Sequence, residues 1–158
     1  MTVYTLEREQ LVRAPAARVF EFFSNAENLD TITPRFVGFE ILTPTPIEMR
    51  KGTRIDYRLR LAGVPLRWRT RVTRWEPGCG FVDEQESGPY ALWEHTHRFE
   101  ATDRGVLVSD RVRYALPFGP LGSLAHALVV HSTLARIFDH RFVRVREILE
   151  ASAEPPAS

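Results

Sequence analysis

Between Thr53 and Tyr114 the chain repeats one pattern. Apolar and polar side chains alternate, and short turns rich in glycine or proline interrupt the alternation. A strict period of two places every second side chain on one face of a half-buried strand. Ile55, Tyr57, Leu59 and Leu61 share one such face; Leu66, Trp68, Thr70 and Val72 share the next. The turns "AGVP", "EPGCG", "SGPY" and "TDRG" separate five strands: Thr53 to Leu61, Leu66 to Val72, Phe81 to Glu86, Trp93 to Phe99 and Val106 to Tyr114. Consecutive strands joined by tight turns form an antiparallel meander, and little else satisfies their backbone groups.

The flanks add to this sheet. Val3 to Arg13 alternates loosely and reads as a first strand. In "APAARVFEFFSNAENLDTITP", Pro15 suits a first helical turn, and Val19, Phe20, Phe22 and Phe23 form an apolar helical face. A second short helix is expected from Ala26 to Ile32, closed by Pro34, and a strand from Phe36 to Leu42. The last third changes period. From Leu121 to Glu150 the positions Leu124, Leu128, Ala135, Phe138, Phe142, Val145 and Leu149 keep a three-four spacing, which predicts one long amphipathic helix. The expected class is α+β: about seven curved antiparallel strands, two short helices after the first, and a long C-terminal helix across the concave face.

Residues 1–150 form a single expected domain; the tail 151–158, "ASAEPPAS", is small and proline-rich, and disorder is expected there. Lys+Arg is 21 against 20 for Asp+Glu, which gives no strong pull toward nucleic acid. Arg54, Arg58, Arg60, Arg67, Arg69 and Arg71 form an outward stripe that acidic neighbours are expected to pair. The single cysteine, Cys79, forms no internal disulfide, and no apolar run reaches the length of a membrane span. The charged N-terminus lacks a signal-peptide core, so a cytoplasmic location is expected.

The stretch "ALWEHTHRFE" puts Trp93, His95, His97 and Phe99 on one face. Its large rings mark that face as inward, so two imidazoles go with them. If Ala101 and Val106 flank the "TDRG" turn, Phe99 opposes Val108, His97 opposes Asp110, His95 opposes Val112 and Trp93 opposes Tyr114. A slip of one residue would turn every inward side chain outward, so the apolar pattern selects this register. Asp83 and Gln85 share parity with Phe81 and come near the histidines through the next hairpin. His131 falls in the helix's apolar stripe. The expected interior thus gathers Asp83, Gln85, His95, His97, Asp110 and His131 within a wall that includes Tyr57, Trp68, Trp93, Tyr114 and Phe138. Apolar walls with a few convergent polar groups describe a ligand site. His95-X-His97 with Asp83 or Asp110 also has the composition of a metal site, but His-X-His is a common match and no metal is expected.

"APAARVFEFFSNAENLDTITP", "WRTRVTRWEPGCGFVDEQESGPYALWEHTHRF" and "DRVRYALPFGPLG" leading into "LARIFDHRF" resemble the START/Bet v 1-like (SRPBCC) superfamily, over roughly residues 3–150. The likeness is strongest to its bacterial polyketide cyclase/dehydrase branch. The resemblance implies a helix-grip fold with a hydrophobic cavity between sheet and long helix, holding a lipid-like or polyketide-like molecule. It implies no cofactor, no metal and no common catalytic motif. Some relatives carry a fused nucleotide-sugar-epimerase-like domain, which this sequence lacks. Three functions follow as expectations. The first is binding of a small hydrophobic or aromatic ligand. The second is a cyclase or dehydratase-type lyase with His97 as acid/base, oriented by Asp110. The third is an interaction module for a separate partner enzyme.

Overall fold

A computed structural model describes residues 1–61 and 63–151, the side chain of Leu61 excepted. Seven antiparallel strands form one sheet in the order β1-β7-β6-β5-β4-β3-β2. They are β1 (Tyr4–Val12), β2 (Glu40–Ile41), β3 (Arg54–Leu61), β4 (Val64–Glu76), β5 (Gly80–Ser87), β6 (Leu92–Thr102) and β7 (Gly105–Ala115). Two short helices, α1 (Ala16–Ser24) and α2 (Asn28–Thr31), lie between β1 and β2. The C-terminal helix comprises α3 (Gly119–Ala125), a π-helical segment (His126–Val130) and α4 (His131–Ala151). This is the helix-grip arrangement that the alternation and the final change of period predict. Of the expected disordered tail 151–158, Ala151 instead ends α4, and residues 152–158 lie outside the described residues.

The β6–β7 register is the predicted one: Phe99 pairs with Val108, His97 with Asp110, His95 with Val112 and Trp93 with Tyr114. Three local departures have physical causes. Phe36 to Leu42 is not one strand. Pro34 starts a 3-10 turn at Arg35–Val37, Gly38 turns through a left-handed conformation at φ 58°, and only Glu40–Ile41 pairs with β3. In β4 a register shift between Val72 and Arg74 leaves Thr73 without a partner on β5. Such a bulge reverses the side-chain alternation. Val72 and Trp75 thus both face the core, and Trp75 meets Phe81 at 5.4 Å between ring centroids.

The third departure is in the long helix. The π segment widens one turn and rotates the face that follows it. The residues turned toward the sheet become Leu134, Phe138, Arg141, Val145 and Leu149, spaced four, three, four and four apart. Leu124 and Leu128 are mostly solvent-exposed, not part of the buried stripe that the sequence predicts. The 33-residue helix contains an 18-residue window of mean hydropathy 1.3, long and apolar enough for a membrane span. Its C-terminal half nevertheless packs on the sheet as a core helix does.

Val145 and Leu149 close one end of the fold against Val12, Val19, Phe99 and Val106. Burial of each contributes roughly 1.5–3 kcal/mol. Gln10 on β1 donates from Nε2 to the Phe142 carbonyl at 2.7 Å and fixes the helix over the sheet. On the convex surface, Arg54 pairs with Glu86 and Arg69 with Asp56, both at 2.8 Å, and Arg58 lies 3.6 Å from Glu40. Acidic neighbours do partner half of the arginine stripe: Glu86, Glu40 and Asp56. Cys79 is a free, exposed thiol in the β4–β5 turn.

Gly80 opens β5 directly beside the backbone of His97. A Cβ there would meet the His97 carbonyl oxygen well inside contact distance. Gly80→Ala is expected to destabilise the fold by about 1–3 kcal/mol, the usual cost of overpacking. Urea unfolding measures this directly, and an unchanged midpoint would contradict the packing described.

Candidate functional site: a cavity with two carboxylate–imidazole pairs

The concave sheet face and α4 do not meet along their full length. Where they part, a cavity of about 270 Å³ opens, close to the ~300–1,000 Å³ range of ligand sites. The short helices supply Phe22, Phe23, Leu29 and Ile32 to its wall, and the helix supplies Val130, Leu134, Ile137 and Phe138. Ile55, Tyr57, Leu59, Trp68, Thr70 and Val72 rise from β3 and β4. Tyr90 and Trp93 complete an aromatic corner with Trp68; the two tryptophan rings meet edge to face at 5.1 Å.

One wall is polar. His95 and His97 are buried and stack on each other at 3.7 Å. Phe81 stacks on the outer face of His97 at 4.1 Å, and Phe138 meets His95 edge-on at 5.7 Å. The rings are therefore clamped. Each imidazole donates to a carboxylate diagonally placed on a neighbouring strand. His95 Nε2 lies 2.7 Å from Asp110 Oδ1, and His97 Nε2 lies 2.6 Å from Asp83 Oδ2. His97 does approach its directly opposed residue, with Nδ1 3.7 Å from Asp110 Oδ1, but that exceeds hydrogen-bond length. The sequence expectation of a His97–Asp110 pair is thus corrected: Asp83 orients His97, and Asp110 orients His95. Backbone register fixes which residues are opposite; side-chain direction then selects the diagonal neighbour.

Burial opposes ionisation of Asp83, but the His97 hydrogen bond, the nearby imidazole charges and Thr70 together outweigh it. Its carboxyl is held below the ordinary range. The same balance, with His95 as the bonding partner and Arg141 adding positive charge, brings Asp110 down to about 2. Burial and the neighbouring His95 hold His97 below its ordinary 6.5, against the pull of Asp83. At neutral pH the chemistry is that of ionised carboxylates accepting N–H bonds from imidazoles.

Tyr57, Trp68, Asp83, Trp93, His95, His97 and Phe138 line the cavity as expected. Four predicted residues stand elsewhere. Gln85 closes its own turn, with Nε2 donating to the Tyr90 carbonyl at 2.8 Å and Oε1 accepting from the Tyr90 amide at 3.0 Å. Asp110 sits behind His95 and acts through it. Tyr114 is buried beside the cavity and its hydroxyl lies 2.7 Å from His126 Nε2. His131, the first residue of α4, is exposed. Arg141 is not singled out in the sequence analysis. It is half-buried with its Nε enclosed, lines the cavity and lies over the Phe138 ring at 4.8 Å from the centroid. Its spacing from Leu134, Phe138 and Val145 was the available signal.

A cation could draw ligand atoms from Asp83, His95 and His97, which all lie within 4.8 Å of one another. A zinc ion bound at about 2.0–2.2 Å to both His97 Nε2 and Asp83 would force those atoms to roughly 3 Å or more apart. Their 2.6 Å separation is that of a direct hydrogen bond. The arrangement fits a proton-sharing network better than a metal centre.

The shift at Asp110 carries a sign. A carboxyl at about 2 in the folded chain, against 3.8 when free, stabilises the fold above 3.8 and loses that contribution as pH falls toward 2. The contribution at neutral pH is about 2 kcal/mol. Asp110→Asn should therefore flatten the loss of stability between pH 4 and pH 2, measured by urea titration at each pH. An unaltered acid limb would contradict the ionised state of Asp110.

Comparisons with known proteins agree with this architecture. A Thermus thermophilus protein superposes with TM-score 0.72 at 19% identity, covering 97% of this chain and 100% of that one. The Zhui aromatase/cyclase from Streptomyces sp. R1128 gives TM-score 0.77 at 15% identity over 99% of both chains. The nucleoside-diphosphate sugar epimerase from Corynebacterium glutamicum gives TM-score 0.69 at 23% identity, covering 92% of this chain and 29% of that one. Identities this low speak for the fold alone. No curated protein sequence matches the chain. The family model described as polyketide cyclase / dehydrase and lipid transport matches residues 12–141, most of the chain, so this protein belongs to that family.

Proposed function

We propose that the protein binds a small hydrophobic or aromatic molecule in the cavity between sheet and helix. The observation that carries this reading is the shape of the interior. The C-terminal part of α4 is packed solidly, yet the fold leaves about 270 Å³ walled by aromatic and aliphatic groups, with polar groups gathered on one side. Burial of apolar surface, at about 25 cal/mol per Å², gives affinity, and a few fixed donors give orientation. The family, which includes lipid transport, supports the reading.

A second reading has its own observation, the pair of clamped imidazoles. In a neutral His97 that donates from Nε2 to Asp83, Nδ1 carries the lone pair. Such a group can remove a proton from an acidic C–H and return it to a leaving oxygen, as a cyclase or dehydratase step requires. The Zhui protein's description as an aromatase/cyclase favours testing this on poly-β-carbonyl substrates.

Fluorescence titration with N-phenyl-1-naphthylamine tests the first reading. Micromolar binding is expected for the native protein. Ile137→Phe, which places more side chain in the cavity, should weaken binding at least tenfold while leaving circular dichroism unchanged. Binding that ignores this variant would place the probe elsewhere. For the second reading, turnover should vanish in His97→Ala and persist in Arg69→Ala, whose side chain lies on the convex surface. Equal rates in the two variants would remove His97 from any chemistry.

A further inference from the structure

The polar groups of the cavity divide by whether they already have partners. The acceptors do: Asp83 takes hydrogen bonds from His97 and, at 3.3 Å, from Thr70, and Asp110 takes one from His95. The donors do not. Arg141 Nε is buried without a hydrogen-bond partner. Among the described residues, no carboxylate oxygen lies within 4.0 Å of the Arg141 guanidinium. Tyr57, a buried residue of the same wall, makes no hydrogen bond through its hydroxyl among the described residues either. Its burial keeps it protonated and hence a donor.

A guanidinium whose Nε–H is buried without an acceptor is costly, because that N–H loses water and gains nothing in exchange. The contact with Phe138 answers the charge in part but accepts no N–H bond. Asp83 and Asp110 balance the charge from a distance and likewise leave the fork empty. A planar guanidinium is complementary to a planar pair of oxygens, and that match is the strongest that arginine makes.

We propose that Arg141 is the cavity's anchor for an anionic oxygen. The ligand is an apolar, aromatic acid that seats its carboxylate on the guanidinium, with its ring system against Trp68, Tyr90 and Trp93. Tyr57 supplies a second donor to the same end. The carboxylates of the wall do not exclude such a ligand. Each is already covered by an imidazole N–H. This inference rests on the binding reading and adds the charge of the ligand to it.

Calorimetry with 2-naphthoate and 2-naphthamide provides the test. The two probes share size and ring system and differ in charge at one end. The native protein should bind 2-naphthoate at least tenfold more tightly than 2-naphthamide. Arg141→Gln should bring the two within twofold, and Arg141→Lys should restore part of the preference. Retained 2-naphthamide binding and an unchanged circular dichroism spectrum show that each variant is folded. Equal affinities in the native protein would overturn the role of Arg141 and leave cavity binding standing. A preference that survives in Arg141→Gln would do the same. Failure of both probes and of N-phenyl-1-naphthylamine to bind would overturn both readings.

Discussion

One geometric constraint governs this molecule: a single helix cannot fill a curved seven-stranded sheet. Right-handed twist and the bulge at Thr73 curl the sheet around its concave face. Val145 and Leu149 seal one end against the first strand, α1 and the β6–β7 hairpin. Further along, the same helix stands off the sheet and only side chains bridge the gap. The cavity is thus a consequence of the architecture. Its content is set by whichever side chains the strands present there.

Those strands present an unusual set. Two buried imidazoles and two carboxylates would be expensive in a plain core, and they are tolerated because each acceptor meets a donor across a diagonal. Ring stacking from Phe81 and Phe138 holds the imidazoles in one orientation. The network is rigid and complete on the sheet side. Arg141 enters from the helix side with nothing to complete it. That asymmetry makes the polar wall a surface awaiting an acceptor, where a fully paired cluster would be merely structural.

The sequence made much of this legible. Alternation defined five consecutive strands, and the inward rings of "WEHTHRF" set the β6–β7 register, which the structure reproduces pair for pair. Parity alone brought Asp83, His95, His97 and Asp110 to one face. Parity has no information about which diagonal a side chain leans along, so Asp110 was assigned to His97 although its hydrogen bond is to His95. Gln85 shares that parity yet turns to its own hairpin, because a nearby backbone amide and carbonyl suit its side chain better than the cavity does.

The long helix marks the boundary most clearly. Its existence and extent followed from a three-four spacing that local sequence fixes. Phe138, Val145 and Leu149 of the predicted stripe do face the sheet, whereas Leu124, before the π segment at His126–Val130, and Leu128, within it, do not. His131 is exposed as well, and Arg141, in the same three-four stripe as Phe138 and Val145, lines the cavity. The sequence by itself determined strands, register, helix and the gathering of titratable groups, since these depend on periodicity along the chain. Only the tertiary structure decided which donors found acceptors and which arginine was left without one. Those outcomes depend on distances of a few ångströms between elements far apart in sequence.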